Sequence, residues 1–251
     1  MSGIMPENPV PLYLQIKELI SKQIKEGHLS PGKKLCSERE LCEQYNVSRI
    51  TVRQALNELD KEGLIYRTHG KGTFVAQPKV EQELFTITPF QHSLLKKGLK
   101  PKTKFIEYVV LPNSYTMSQK LNRPLAEQIV QIKLLGLDEE TPMAYYMSYF
   151  ALDLGLRMQQ LAIHASVKGD SFTTLDLYKK IPELNLGTIS QTIEASIADN
   201  FVADILTIKK GSPIFIVESI IYTDQDQPIE CKTAIYRGDK YKFSVIRKPH
   251  S

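Results

Sequence analysis

A chain of 251 residues that is 42% hydrophobic and 24% charged can bury a genuine core in one domain or two, which excludes disordered, collagen-like and low-complexity classes. The formal net charge of +4 and pI near 8.8 permit an anionic partner but fall far short of a polybasic nucleic-acid coat, so local clustering decides. Three cysteines without a CxxC pair, Cys36, Cys42 and Cys231, exclude a disulfide framework and a cysteine-based zinc site, and no apolar run suits a signal peptide or membrane span; the expectation is a reduced, cytoplasmic protein without a membrane partner.

Pro9 and Pro11 stiffen the first segment, and Pro11 suits the first turn of a helix, where its missing N–H would have no acceptor. Leu12, Ile16, Leu19, Ile20 and Ile24 recur on one helical face, and Gly27 ends that helix. After the turn Ser30-Pro31-Gly32, Ser37 and Glu40 have the S-x-x-E spacing of a capping box, so a short second helix starts at Ser37 with Leu41 and Tyr45 on its inner face. Asn46 sits where the chain turns sharply, since asparagine tolerates the left-handed conformation. Ser48 is the natural N-cap of a third helix whose Val52, Ala55, Leu56 and Leu59 form an apolar stripe. Arg49, Thr51, Arg53, Gln54 and Asn57 fall off that stripe. Two short helices across a tight turn, the second basic and hydroxyl-rich at its start, are what a helix-turn-helix presents to the DNA major groove.

Gly63 stops the third helix. LIYRT, His69-Gly70-Lys71-Gly72 and TFV then read as a hairpin with a basic, glycine-flanked tip, the wing of a winged helix, in which Arg67 and Lys71 supply charge. A plain tight turn satisfies the same residues. A P-loop does not, because the GxxxxGK[ST] spacing and its strand-loop-helix context are absent. PLYLQIKELI followed by LCSERELCEQYNVSRITVRQALNELDKEGLIYRTHGKGTFV resembles the DNA-binding domain of the GntR family of bacterial transcription regulators. That resemblance implies DNA contacts at Arg39, Arg49, Arg53 and Gly70, with Ser48 and Thr51 on backbone or base edges; Cys36 stands where the family usually has proline.

Residues 77–83 (QPKVEQE) are polar and aperiodic and read as a linker between a domain at 1–76 and another at 84–251. Beyond it, FIEYVVL, EQIVQIKLLGL, MAYYMSYF, TISQTIEASIA, IFIVESIIY and PIECKTAIY read as strands, with helices over Ser114 to Leu121, Thr174 to Lys180 and Asn200 to Leu206. A helix, a break at Pro124 and a hairpin turning at Glu139 to Pro142 are echoed by a helix, a break at Pro213 and a hairpin turning at Asp224 to Pro228. Duplication of one unit and chance similarity both account for this.

The closing run PIECKTAIYRGDKYKF, set after TISQTIEA and a helix-hairpin, resembles the effector-binding domain of the HutC subfamily, called UTRA. The resemblance implies an α+β fold of the chorismate-lyase kind with an antiparallel sheet, a homodimer made through this domain, and a small-molecule pocket. Family members that bind sugar phosphates use two arginines, a strand glutamate, a Ser-x-Tyr element and a late glutamate and tyrosine. By position these become Leu134 and Gly136, Tyr146, Ser171 with Thr173, and Glu230 with Tyr236. An anionic phosphate wants bidentate guanidinium donors, which leucine and glycine do not provide. Lys133 is one residue out of register and faces the other way by strand alternation. The expected effector, with a sugar-derived compound as the candidate class, is thus less anionic or differently anchored, with Tyr145 or Tyr146 as an aromatic wall.

The five histidines, His28, His69, His92, His164 and His250, lack metal-ligand spacing, so neither metal nor cofactor is expected. Cys36 and Cys42 read as ordinary thiols or, less simply, a redox pair. The resulting expectation is a non-enzymatic, dimeric repressor that binds a palindromic duplex operator and is controlled by a small-molecule effector. A lyase-like enzyme is the alternative, suggested only by the fold resemblance, and an effector-free DNA-binding protein is a third reading.

Overall fold

The computed structural model describes residues 7, 9–68, 70–76, 79–83, 94–95 and 99–245. It comprises two compact units that divide between Pro78 and Lys79. Of the sequence expectations, His69 at the wing tip, most of the linker's first half (Gln77 and Pro78), and the proposed start at Leu84 lie outside the described residues.

In the first unit, α1 (Leu12–Lys25), α2 (Glu38–Tyr45) and α3 (Arg49–Lys61) precede β1 (Ile65–Thr68) and β2 (Gly72–Val75), which pair antiparallel. Pro11 is the N-cap of α1, just ahead of the first-turn position expected of it. The capping box of α2 is complete: the Glu40 N–H donates to Ser37 Oγ at 3.2 Å, and the Ser37 N–H donates to Glu40 Oε2 at 2.7 Å. Asn46 closes the same helix at φ 52°. Ser48 caps α3 by accepting from the Thr51 N–H at 3.2 Å. Ile16, Ile20, Leu41, Val52, Leu56, Leu59, Ile65 and Val75 share one core, each burial stabilising by about 1.5–3 kcal/mol before the entropy cost. Lys34 bridges Phe74, so the segment ahead of α2 lies along the wing.

The second unit is built on a six-stranded antiparallel sheet in the order β4-β5-β6-β9-β8-β7. Its strands are β4 (Pro101–Pro112), β5 (Gln128–Asp138), β6 (Thr141–Ala151), β7 (Leu186–Ile197), β8 (Pro213–Thr223) and β9 (Pro228–Arg237). Short helices α4 (Tyr115–Leu121) and α7 (Asn200–Leu206) follow β4 and β7. The order is symmetrical about the β6–β9 contact, each half being strand, short helix and hairpin. The correspondence extends to the caps, because both helices end on left-handed residues, Asn122 (φ 49°) and Thr207 (φ 53°), and both hairpins turn through one, Glu139 (φ 52°) and Asp226 (φ 57°). The echo in the sequence is therefore a structural repeat.

Two elements differ from the sequence expectation. The longest described helix of this unit, α5 (Leu152–Val167), was not expected: Leu152, Leu154 and Leu156 alternate like a strand and Gly155 interrupts the helical pattern. The glycine is explained by packing, since a Cβ there would lie 2.4 Å from Val130 Cβ on β5. A further helix, α6 (Thr174–Tyr178), then leads towards β7. The second difference is β3 (Val80–Glu83), inside the segment read as linker, which pairs in parallel with β10 (Tyr241–Ser244). Four residues show too little periodicity for either strand to be recognised without its partner.

One sheet face carries the main core with α5 and α6, including Ile132, Tyr146, Phe150, Met158, Ala162 and Tyr178. On the other, α7 packs with Leu135, Tyr145 and Ile235, and α4 with Ile129 and Cys231. Mixed helices and an antiparallel sheet make the chain α+β. No described helix is long and apolar enough to cross a membrane.

Candidate functional site

In the first unit, the cap at Ser48 orients the start of α3 so that Arg49, Ile50, Arg53 and Gln54 are exposed while Val52, Ala55 and Leu56 are buried. Thr51 is half-buried, and its hydroxyl lies 2.9 Å from that of Ser48. These two hydroxyls engage one another and hold the helix start. Arg53 Nε is 3.8 Å from Glu38 and Arg39 Nε is 3.6 Å from Glu43, loose surface pairs of little strength that a phosphate can replace. Arg49 makes no ion pair or hydrogen bond among the described residues. Arg67, Gly70 and Lys71 are exposed on the wing, with Gly70 at φ 72°.

Ile50 escaped the sequence reading. Its side chain is 78% exposed between Arg49 and Thr51 on the first turn of α3, where an ordinary solvated face would be polar. The available signal was the one apolar residue that breaks the polar side of the helix.

In the second unit, the residues expected around an effector are brought together only in part. Tyr146 and Tyr236 are buried with ring centroids 6.0 Å apart, and Tyr236 also contacts Tyr241 at 4.9 Å and Phe243 at 5.7 Å. Burial pushes the Tyr146 phenol well above its ordinary pKa, so it is neutral. Tyr145 points to the opposite face, against Phe201 at 5.7 Å. Glu230 is fully buried and accepts from Ser148 Oγ at 2.6 Å and Tyr178 Oη at 2.9 Å. Ser171 is half-buried in the loop ahead of α6. Lys133 pairs with Glu107 at 2.6 Å, away from this face.

The cavity at this place is about 10 Å³, lined by Leu134, Tyr146, Phe172, Thr173, Thr174 and Lys232. Neither Glu230 nor Tyr236 lines it; each is covered by the side chains named above. Lys232 and Tyr178 had not been expected here. Lys232 could have been found from strand alternation, two residues after Glu230; Tyr178 left no sequence signal, because its contact depends on where α6 lands.

Residues 12–75 match the description "Bacterial regulatory proteins, gntR family", and residues 96–242 match the "UTRA domain". The chain belongs to the GntR family and carries a UTRA domain. This GntR-family chain is 34% identical over 241 residues to the "HTH-type transcriptional repressor NagR" of Bacillus subtilis, covering 96% of each protein. It is 28% identical over 240 residues to the "Probable fructoselysine utilization operon transcriptional repressor" of Escherichia coli, covering 95% of this chain and 96% of that one. Its fold resembles that of PhnF from Mycobacterium smegmatis, with a TM-score of 0.62, 21% identity, and coverage of 95% and 99% of the two chains. The GntR-family chain is accordingly a DNA-binding transcription regulator with an effector-binding C-terminal domain.

Proposed function

We propose that this regulator is a repressor that binds a palindromic operator as a homodimer, and that a small molecule in the second unit alters its DNA affinity. The observation that carries the DNA-binding part is the capped start of α3, which presents Arg49, Ile50 and Arg53 together on an otherwise ordered surface. Arg49 and Arg53 supply base or phosphate contacts, and Ile50 meets a thymine methyl, the apolar feature of the major groove. Arg39, Arg67, Lys71 and the Gly70 backbone hold the DNA backbone, while Ser48 and Thr51 set the helix start. Repression is the economical outcome, since a dimer on an operator blocks polymerase without further contacts.

Dimerisation is assigned to the second unit. β7 pairs with β8 along one edge, and along its length most residues are exposed, Ile193 and Ile197 among them. A long edge strand without proline or lysine is a template for another chain. The effector is assigned to the cavity beside Tyr146, with Tyr236, Glu230 and Ser171 around it. Among the described residues no matched acid and base line that cavity, so a lyase-like reaction has no comparable support.

Selection of bound duplexes from a random pool with the full chain tests the reading. The expected product is an inverted repeat with half-sites about one helical turn apart. A single unrepeated half-site overturns the dimer, and no enrichment overturns the recognition-helix assignment.

A further inference from the structure

We propose that Lys232 anchors the effector, and that the effector is a small monocarboxylate on an apolar body; this rests on reading the second unit as the effector-binding domain. Lys232 is the one cation lining the cavity among the described residues. Its ammonium donates to Thr174 Oγ1 at 3.2 Å and stands 5.6 Å from the centre of the Tyr146 ring. No carboxylate lies within ion-pair reach of it among the described residues. Glu230, two positions earlier on the same face of β9, is already held by Ser148 and Tyr178. The lining therefore presents a half-buried positive charge that a single negative charge would neutralise.

Donor geometry narrows the anion. Thr174 Oγ1 accepts from Lys232 and keeps its own proton to donate, so ammonium and hydroxyl form a two-donor clamp of the size of a carboxylate. A phosphate dianion asks for more, and the guanidinium forks suited to it are absent from the lining among the described residues. The Thr173 hydroxyl is engaged by Asp176 at 2.8 Å. A polyhydroxylated ring would leave several groups unpaired against Leu134, Tyr146 and Phe172, whereas an apolar body fits them.

At about 10 Å³ the cavity holds roughly one water, so the ligand must displace protein. Phe172 is fixed, because its backbone exchanges two hydrogen bonds with Thr103 Oγ1, at 2.8 and 3.1 Å. The Tyr146 ring is buried against Tyr236 at 6.0 Å, so the half-buried Lys232 stem is the part that gives way. Binding exchanges the contact of Lys232 with the Tyr146 ring for an ion pair.

The test is calorimetry on the full chain in phosphate-free buffer, with benzoate, phenylacetate and 3-methylbutanoate set against glucose 6-phosphate and inorganic phosphate. At least one carboxylate is expected to bind, with Lys232→Met weakening it more than about tenfold and Lys232→Arg retaining it within about tenfold. A cooperative melt of Lys232→Met shows that it folds; otherwise Thr174→Val, expected to lose about tenfold, takes its place. Carboxylate binding unchanged in the variants overturns the anchor. Binding of glucose 6-phosphate alone overturns the ligand class but leaves the effector-domain reading intact. No binding by any probe overturns both.

Discussion

Leu134 and Tyr146 stand directly opposite each other across β5 and β6, both buried, at the positions where the family resemblance leads one to expect an arginine and a glutamate. In place of the expected charged cross-strand pair stand a leucine and a tyrosine, and both side chains line the small cavity.

That apposition predicts strong coupling. Leu134→Arg alone places an uncompensated charge in the core and is expected to cost about 3–5 kcal/mol. Adding Tyr146→Glu supplies a directly opposed partner and should recover at least about 1 kcal/mol. Denaturant unfolding of the two single variants and the double variant measures this; additive effects would mean that the two side chains do not meet.

At the recognition helix, Arg49→Ala and Arg53→Ala should each weaken operator binding by about 1–3 kcal/mol if the contact is bidentate to a base. Ile50→Ala should lose less. Deoxyuridine in place of the contacted thymine should reproduce that loss in the native protein and add nothing in the variant. Gel shifts in which deoxyuridine weakens both proteins equally would remove Ile50 from the interface.

The start of α2 has a pH signature. Hydrogen bonds from the Ser37 backbone and hydroxyl hold the Glu40 carboxyl below its ordinary pKa. Its folded value being the lower one, the stabilisation is fully present above the unfolded carboxylate range and disappears as pH falls through the folded value. Amide exchange in α2 should accelerate across that acidic window. In Ser37→Ala, which costs about 1 kcal/mol, the helix should be faster throughout and the Glu40-dependent step should shrink without vanishing, because the backbone N–H at position 37 still donates to Glu40.

Gly155→Ala should destabilise the second unit by about 1–3 kcal/mol through overpacking, since the new methyl would meet Val130 at 2.4 Å. Helix propensity alone predicts the opposite sign. Calorimetric melting distinguishes them, and Val130→Ala in the same chain should restore part of the loss.

How much of this was readable in the residues depended on range. Ser37, Asn46 and Ser48 terminate helices through contacts with residues three or four positions away, so the helix-turn-helix was legible. The paired helix-hairpin halves were legible for the same reason, as the breaks at Pro124 and Pro213 and the turns at Glu139 to Pro142 and Asp224 to Pro228 are local signals. α5 was not, because it carries a glycine whose place is explained only by Val130 on another element. Nor was the state of the cavity: Tyr146, Ser171, Glu230 and Tyr236 could be placed by position, but whether Glu230 faces a ligand or Tyr178 is decided by packing. Lys232 was overlooked beside a glutamate that drew the attention of the family pattern.

The parallel pairing of β3 with β10 sets Val80 beside Tyr241. During synthesis the helices and wing can close on contacts made within residues 12–75, while β3 waits for a strand that leaves the ribosome more than a hundred residues later. Long-range pairing of that kind is slow and comes late. A nascent chain therefore completes its helix-turn-helix and wing before the second unit is finished, and stalling or truncation ahead of Tyr241 would release a folded DNA-contact surface cut off from the unit that controls it.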